Sequence, residues 1–143
     1  MVHIRKAVLE DQEQVFSLAE DFAMSFRPRL DAFTEAFSHL YQQDDALILV
    51  AEESAQVIGY LLGFDHWTFF ANGRVSWVEE VAVHQDHRGR NIGRDLMDSF
   101  EEWASSRGSK LVALATRRAA PFYLALGYDE SAVYFRKLIP MAS

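Results

Sequence analysis

The chain of 143 residues has no cysteine, only three prolines, and fewer basic than acidic residues, 14 against 21. Without cysteine, disulfides, thiolate metal sites and a cysteine nucleophile are excluded. No apolar run reaches the ~20 residues of a membrane-spanning helix. The opening Met1-Val2-His3-Ile4-Arg5-Lys6 lacks the long apolar stretch of a signal peptide. We therefore expect a cytoplasmic protein with no membrane partner. The net charge of −7 argues against general nucleic-acid binding, which needs a basic surface, and mildly favours a cationic ligand. No repeat, low-complexity tract or proline-rich linker divides the sequence, so residues 1–143 are expected to form a single domain. What is present is ordinary for a globular chain: 50% hydrophobic and 24% charged residues.

Periodicity supplies the elements. Val2–Val8 reads as a strand. Two helical patterns follow, through Val15, Leu18, Ala19, Phe22, Ala23 and Phe26, and through Leu30, Phe33, Phe37, Leu40 and Tyr41. Arg27-Pro28 separates them, because proline disfavours continuation of the first helix. Ala46–Ala51 and Val57–Phe64 read as an antiparallel hairpin, and a second hairpin turns at Asn72-Gly73 into Arg74–Val83. A helix is expected at about Asn91–Arg107 with Gly108 as its stop, then a short strand Leu111–Ala115. Pro121 and Gly127 bracket a last helix, Ala119–Leu126, and Ala132–Leu138 alternates well enough to be a closing strand. The predicted class is α/β, in the order β-α-α-β-β-β-α-β-α-β, with a mixed, mostly antiparallel central sheet and helices on both faces.

The sharpest local feature is Arg88-Gly89-Arg90-Asn91-Ile92-Gly93, between the apolar run ending Val81-Ala82-Val83 and a helix whose apolar positions are Ile92, Leu96, Phe100, Trp103 and Ala104. A glycine-containing turn that opens a helix offers backbone N–H donors and a partial positive charge to an anion. Arg88, Arg90 and Arg94 crowd this turn in a chain that is otherwise acidic, pointing to a phosphorylated ligand. It is not a nucleotide P-loop, since Gly93 is followed by Arg94-Asp95 rather than Lys-Ser or Lys-Thr. It is not a dinucleotide fingerprint either, since only two glycines are present.

Residues 77–93 resemble the acetyl-coenzyme A signature of the GNAT superfamily of N-acetyltransferases, Gln/Arg-x-x-Gly-x-Gly/Ala at the head of a helix. Arg88 matches its first position and Gly93 its last, while Asn91 stands where glycine is usual. Asparagine tolerates a left-handed backbone better than other side chains. A second stretch, Ala119-Ala120-Pro121-Phe122-Tyr123-Leu124-Ala125-Leu126-Gly127-Tyr128, is similar to the family's A-x-x-F-Y-x-x-x-G-[FY] element. Thr116 stands where an asparagine commonly precedes that element.

The resemblance implies a single N-acetyltransferase domain that moves an acetyl group from acetyl-CoA to an amine by direct transfer. It implies that Val81, Ala82 and Val83 present backbone N–H groups to the thioester, and that Arg88, Gly89, Arg90, Asn91, Ile92, Gly93 and Arg94 hold the pyrophosphate. Thr116 is expected near the pantetheine arm. Since an ammonium acceptor must lose a proton, a general base is expected. Glu79 is the first choice, because related polyamine-type members place a carboxylate there, and Glu80 is the second. Adjacent strand residues face opposite sides unless a bulge intervenes. Tyr123 fills the position of a general acid toward the coenzyme A sulfur. A small-molecule amine is the expected acceptor, with a protein N-terminus or lysine, or a non-catalytic acyl-CoA module, as alternatives. A homodimer is expected by resemblance.

Two further groups stay open on sequence. His84 and His87 lie three apart, but no convergent acidic cluster accompanies them, so no metal is expected. The aromatic stretch Asp65, His66, Trp67, Phe69 and Phe70 reads either as a wall of the acceptor pocket or as core and dimer packing. Phe22, Phe26, Phe33 and Phe37 carry the same two readings.

Overall fold

The computed structural model describes residues 1–23 and 25–141. Strand β1 (His3–Lys6) is followed by helices α1 (Gln12–Phe22) and α2 (Leu30–Gln42), strands β2 (Ala46–Glu53), β3 (Gln56–Thr68) and β4 (Gly73–Val83), helix α3 (Ile92–Ser106), strand β5 (Val112–Leu114) and helix α4 (Ala120–Ala125). The sheet order is β1-β2-β3-β4-β5. The first four strands pair antiparallel and β5 joins β4 in parallel.

Strand alternation produces two apolar layers. From β2, Leu47, Leu49 and Ala51 pack with Ile92, Leu96, Met97 and Phe100 of α3. The intervening Ile48 and Val50 pack on the opposite face with Val15, Leu18 and Ala19 of α1 and Phe37 of α2. Helices therefore cover both faces, and the apolar stripe predicted for α3 is the one buried. The first helix is shorter than its apolar pattern: Ala23 adopts an extended backbone and closes α1, leaving Phe26 outside it and exposed. The turn between β2 and β3 places Ser54 and Ala55 at φ of 51° and 65°, left-handed values that suit the twist of a two-residue hairpin.

A buried ion pair anchors α3. Asp65 on β3 is 2% exposed, and its carboxylate accepts two hydrogen bonds from the Arg107 guanidinium at the helix C-terminus. That guanidinium also lies over the Trp103 ring, 4.8 Å from its centroid. A carboxylate this deep is tolerable only when paired and hydrogen-bonded.

One expected element is absent. Among the described residues, Ala132–Leu138 forms no strand, and the chain after α4 carries no regular secondary structure. Alternation gives this segment the ability to pair, but its side-chain anchor, Arg136, bonds to Ser25 in the α1–α2 connection and not to a strand. Its apolar side chains remain in solvent, with Phe135 87% and Ile139 82% exposed. Among the described residues no helix is long and apolar enough to cross a membrane.

Close packing between α3 and the sheet depends on Gly63. A Cβ there would lie 2.6 Å from Phe100 Cζ and 2.9 Å from the Trp77 carbonyl oxygen, closer than van der Waals contact permits. Gly63→Ala should destabilise the fold by about 1–3 kcal/mol through overpacking. Thermal denaturation would read this as a fall of several degrees, and an unchanged midpoint would refute this account of the contact.

Candidate active site

The site begins with an irregularity in β4. Leu62 pairs with Glu80, but the next residue of β3, Gly63, pairs with Val78, so Glu79 is an extra residue with no partner opposite it. Such a bulge interrupts the strict alternation of side chains. A second irregularity lies on the other edge. β5 pairs with β4 only at Ser76, Trp77 and Val78, although β4 continues to Val83. From Glu79 onward the β4 edge facing β5 has no strand beside it, and a cavity of about 950 Å³ opens there. That volume suits a small-molecule site.

Glu79, Glu80 and Val81 line this cavity together with Thr116 and Tyr123. The bulge thus turns both carboxylates toward one space, which regular pleating would forbid. Their environments differ. Glu80 Oε1 accepts a hydrogen bond of 2.7 Å from the hydroxyl of Tyr60, a residue buried in the α1–α2 layer. Burial, and then the Glu80 charge, pushes the Tyr60 hydroxyl well above the usual phenol range, so it remains a donor. Glu79 has its carboxyl pKa raised, by desolvation first and by the adjacent Glu80 charge second, against a hydrogen bond with Trp77 that lowers it. A carboxylate whose pKa is lifted toward neutrality makes a better proton acceptor at working pH.

Tyr123 sits on α4 across the cavity, half-buried, with its ring edge-on to Phe122 at 4.9 Å. Desolvation raises its hydroxyl pKa, keeping the phenol protonated. The position of α4 follows from Gly93, where a Cβ would come within 3.2 Å of Phe122 Cζ. The missing side chain admits the Phe122 ring and brings Tyr123 to the cavity. Thr116 caps the approach to α4, its hydroxyl oxygen accepting 3.0 Å from the Ala119 N–H.

Past Val83, the turn that opens α3 has Gly89 at φ +81° and Asn91 at φ 64°, ψ 18°. Asn91 thus adopts the left-handed conformation its glycine-like position requires. The two left-handed residues precede the unpaired N–H groups of the first helical turn, a concave run of donors suited to an anion. Arg88 donates from Nε to the Val83 carbonyl at 3.2 Å. Arg90 is committed elsewhere: its guanidinium forms paired hydrogen bonds to the Glu53 carboxylate. Ala82, Val83 and residues 88–94 do not line the cavity but continue directly from its β4 wall.

Two features of the cavity lining differ from the sequence reading. The aromatic hairpin does not wall the cavity: Asp65 is spent on Arg107, Trp67 lies under Arg74, and Phe69 and Phe70 are exposed. Phe22, Phe26, Phe33 and Phe37, on α1, α2 and their connection, do line it, in keeping with one of the two readings their spacing allows. Five arginines, Arg27, Arg29, Arg117, Arg118 and Arg136, also line the cavity, opposite in sign to the net charge. None was singled out as a cavity residue in sequence, because isolated arginines in connecting segments carry no spacing signal; the same holds for Tyr60. Among the described residues no cluster of three or more His, Asp or Glu is placed to hold a metal ion.

Residues 12–128 match the acetyltransferase (GNAT) family. The chain is similar to an uncharacterized N-acetyltransferase of Methanocaldococcus jannaschii, 30% identical over 102 residues, a match covering 68% of this chain and 45% of that protein. It is also similar to an aminoalkylphosphonate N-acetyltransferase of Salmonella typhimurium, 27% identical over 142 residues and covering 95% of this chain and 90% of that one. In fold it matches a transcriptional regulator of Bacillus halodurans, with a TM-score of 0.87 at 24% identity, covering 97% of this chain and all of the other. With the family match running from α1 through the α4 motif, the chain belongs to the GNAT family of acetyltransferases.

Proposed function

We propose that this protein transfers an acetyl group from acetyl-CoA to the primary amine of a small molecule. The observation that carries the reading is the bulge, which directs Glu79 into a cavity opening where β4 and β5 part, one strand-end away from an anion-suited turn. The left-handed turn, the free helix-start donors, Arg88 and Arg94 fit a pyrophosphate, and Thr116 and the Val81–Val83 backbone fit the arm between it and the cavity. When bound, acetyl-CoA supplies the activated acetyl group. The chain's own residues handle position and protons. Glu79 takes the proton that an ammonium acceptor must lose, and Tyr123 gives a proton to the departing sulfur. Glu80 is fastened by Tyr60 beside Glu79, whose pKa is raised by desolvation first and by the Glu80 charge second. The Salmonella relative, named for a small aminoalkylphosphonate, supports a small acceptor.

We also propose a homodimer. The segment after α4 keeps Val133, Phe135, Ile139 and Met141 in solvent, and β5 is the last strand of the sheet. Exposed apolar side chains and an open sheet edge each favour association.

Calorimetry should show saturable binding of acetyl-CoA, weakened by Arg88→Ala and retained or strengthened by Asn91→Gly; no binding to the parent protein would refute the reading. Glu79→Gln should lower kcat/KM by about 10²-fold or more, and Tyr123→Phe should lower kcat. Because the Glu79 pKa is raised on folding, activity should fall on the acid side at a pH above the ordinary glutamate range, and Glu79→Gln should remove that limb. The same sign means that ionised Glu79 costs stability, an effect that grows as pH rises through its pKa. Glu79→Gln should therefore leave the thermal midpoint at neutral pH unchanged or higher, and a large fall would identify the residue as structural. Sedimentation should give twice the chain mass of 16.4 kDa, reverting to the monomer when residues 130–143 are removed.

A further inference from the structure

The cavity's charge sets a condition on the acceptor beyond its being an amine. Five guanidinium groups line it, against only two carboxylates, Glu79 and Glu80. They arrive from three places distant in sequence: Arg27 and Arg29 from the α1–α2 connection, Arg117 and Arg118 from the β5–α4 connection, and Arg136 from the C-terminal segment. Elsewhere in this acidic chain three arginines are neutralised by carboxylates, while Arg74 stacks over Trp67 and Arg88 donates to the Val83 carbonyl. Arg5 bonds to Asp11 and Glu52, Arg90 to Glu53, and Arg107 to Asp65. At the cavity, only Arg29 has an ion-pair partner among the described residues, Asp31 at 3.5 Å on the exposed rim. Arg136 is fixed by donating from Nη1 to the Ser25 hydroxyl at 3.0 Å, which ties the C-terminal segment to the α1–α2 connection without using up its charge.

Unpaired guanidiniums gathered on one cavity repel one another, and an anionic ligand relieves that repulsion. The guanidinium fork is suited to the paired oxygens of a carboxylate, phosphonate or phosphate. Phe22, Phe26 and Tyr134 line the same cavity and offer ring surface to the carbon skeleton of such a ligand. The pyrophosphate does not account for these charges, since the turn at residues 88–94 has its own arginines and lies outside the cavity lining.

We infer that the acceptor is an amine that also carries an acidic group, with its amine toward Glu79 and its anion held by Arg27, Arg117, Arg118 and Arg136. This inference rests on the acetyl-transfer reading for the identity of the cavity as the acceptor site. The recognised chemistry is a tetrahedral or planar oxyanion, from either the acceptor or the 3′-phosphate of coenzyme A.

The test pairs amines alike in length that differ only in the acid: 2-aminoethylphosphonate against propylamine, and a free α-amino acid against its amide, with thiol release as the readout. The acid-bearing member should have a kcat/KM higher by about tenfold or more, the worth of one charged hydrogen bond. Replacing Arg27 and Arg136 together by alanine should raise KM for the acid-bearing amines about tenfold, hold kcat within about twofold, and leave the neutral amines and the Kd for CoA unchanged. Equal or better turnover of the neutral amines overturns the inference, as does a loss of CoA affinity in the double variant with no change in acceptor preference. Titrating the CoA-bound protein with 2-aminoethylphosphonate and with propylamine reads the preference without turnover. Absence of thiol release from every amine then counts against acetyl transfer, while failure of 2-aminoethylphosphonate to bind more tightly than propylamine counts against the arginine site.

Discussion

Strand β4 must satisfy two neighbours that disagree, and the rest of the site depends on that conflict. On one side it pairs with β3 along most of its length; on the other, β5 accompanies it for three residues and then leaves. Where the companion is lost, the strand takes up an extra residue, Glu79. A sheet that stayed in register would have no opening, and a sheet without the bulge would aim only one of the two glutamates into it. The cavity opens at this divergence, with Tyr123 facing it from α4.

The electrostatics of the opening are arranged in unequal halves. Two adjacent carboxylates in a partly desolvated space disfavour each other's ionisation. The buried Tyr60 hydroxyl relieves one of them, Glu80, by hydrogen bonding, and leaves the other with its pKa raised. The buried polar network therefore does not spread its benefit evenly. It fixes the position of one acid and leaves the other, Glu79, with the raised pKa that suits a proton acceptor. The cost in stability is local, and the two apolar layers on either side of the sheet bear it.

Sequence reading recovered the framework because apolar spacing is a statement about faces, and faces are what helices and antiparallel strands bury. The stripe of α3, the alternation of β2 and the Asn72-Gly73 turn are all where their residues put them. What escaped were features of contact between distant segments. Asp65 looked like part of an aromatic hairpin, yet its partner is Arg107 at the end of a helix. Tyr60 falls inside the run Val57–Phe64 with nothing in its spacing to mark that it fixes Glu80. Ala132–Leu138 has the alternation of a strand, but alternation records the capacity to pair and not the presence of a neighbour. Glu79 and Tyr123 stand in recognisable patterns and both line the cavity, whereas the bulge at Glu79 is encoded by nothing more visible than Gly63 opposite.

That glycine gives α3 an additional property. The helix begins at Ile92, immediately after the left-handed turn, and at Phe100 it presses into the gap that Gly63 leaves behind the bulge. The interval is about 12 Å of helix at roughly 1.5 Å per residue. Between these two points α3 acts as a ruler, setting how far the turn stands from the bent part of β4. Substitutions on its outer surface leave the ruler intact, whereas one inserted residue would rotate Phe100 by about 100° away from its gap and lengthen the spacing at once. The evolutionary expectation is a segment whose solvent-facing positions vary freely and whose length hardly varies at all.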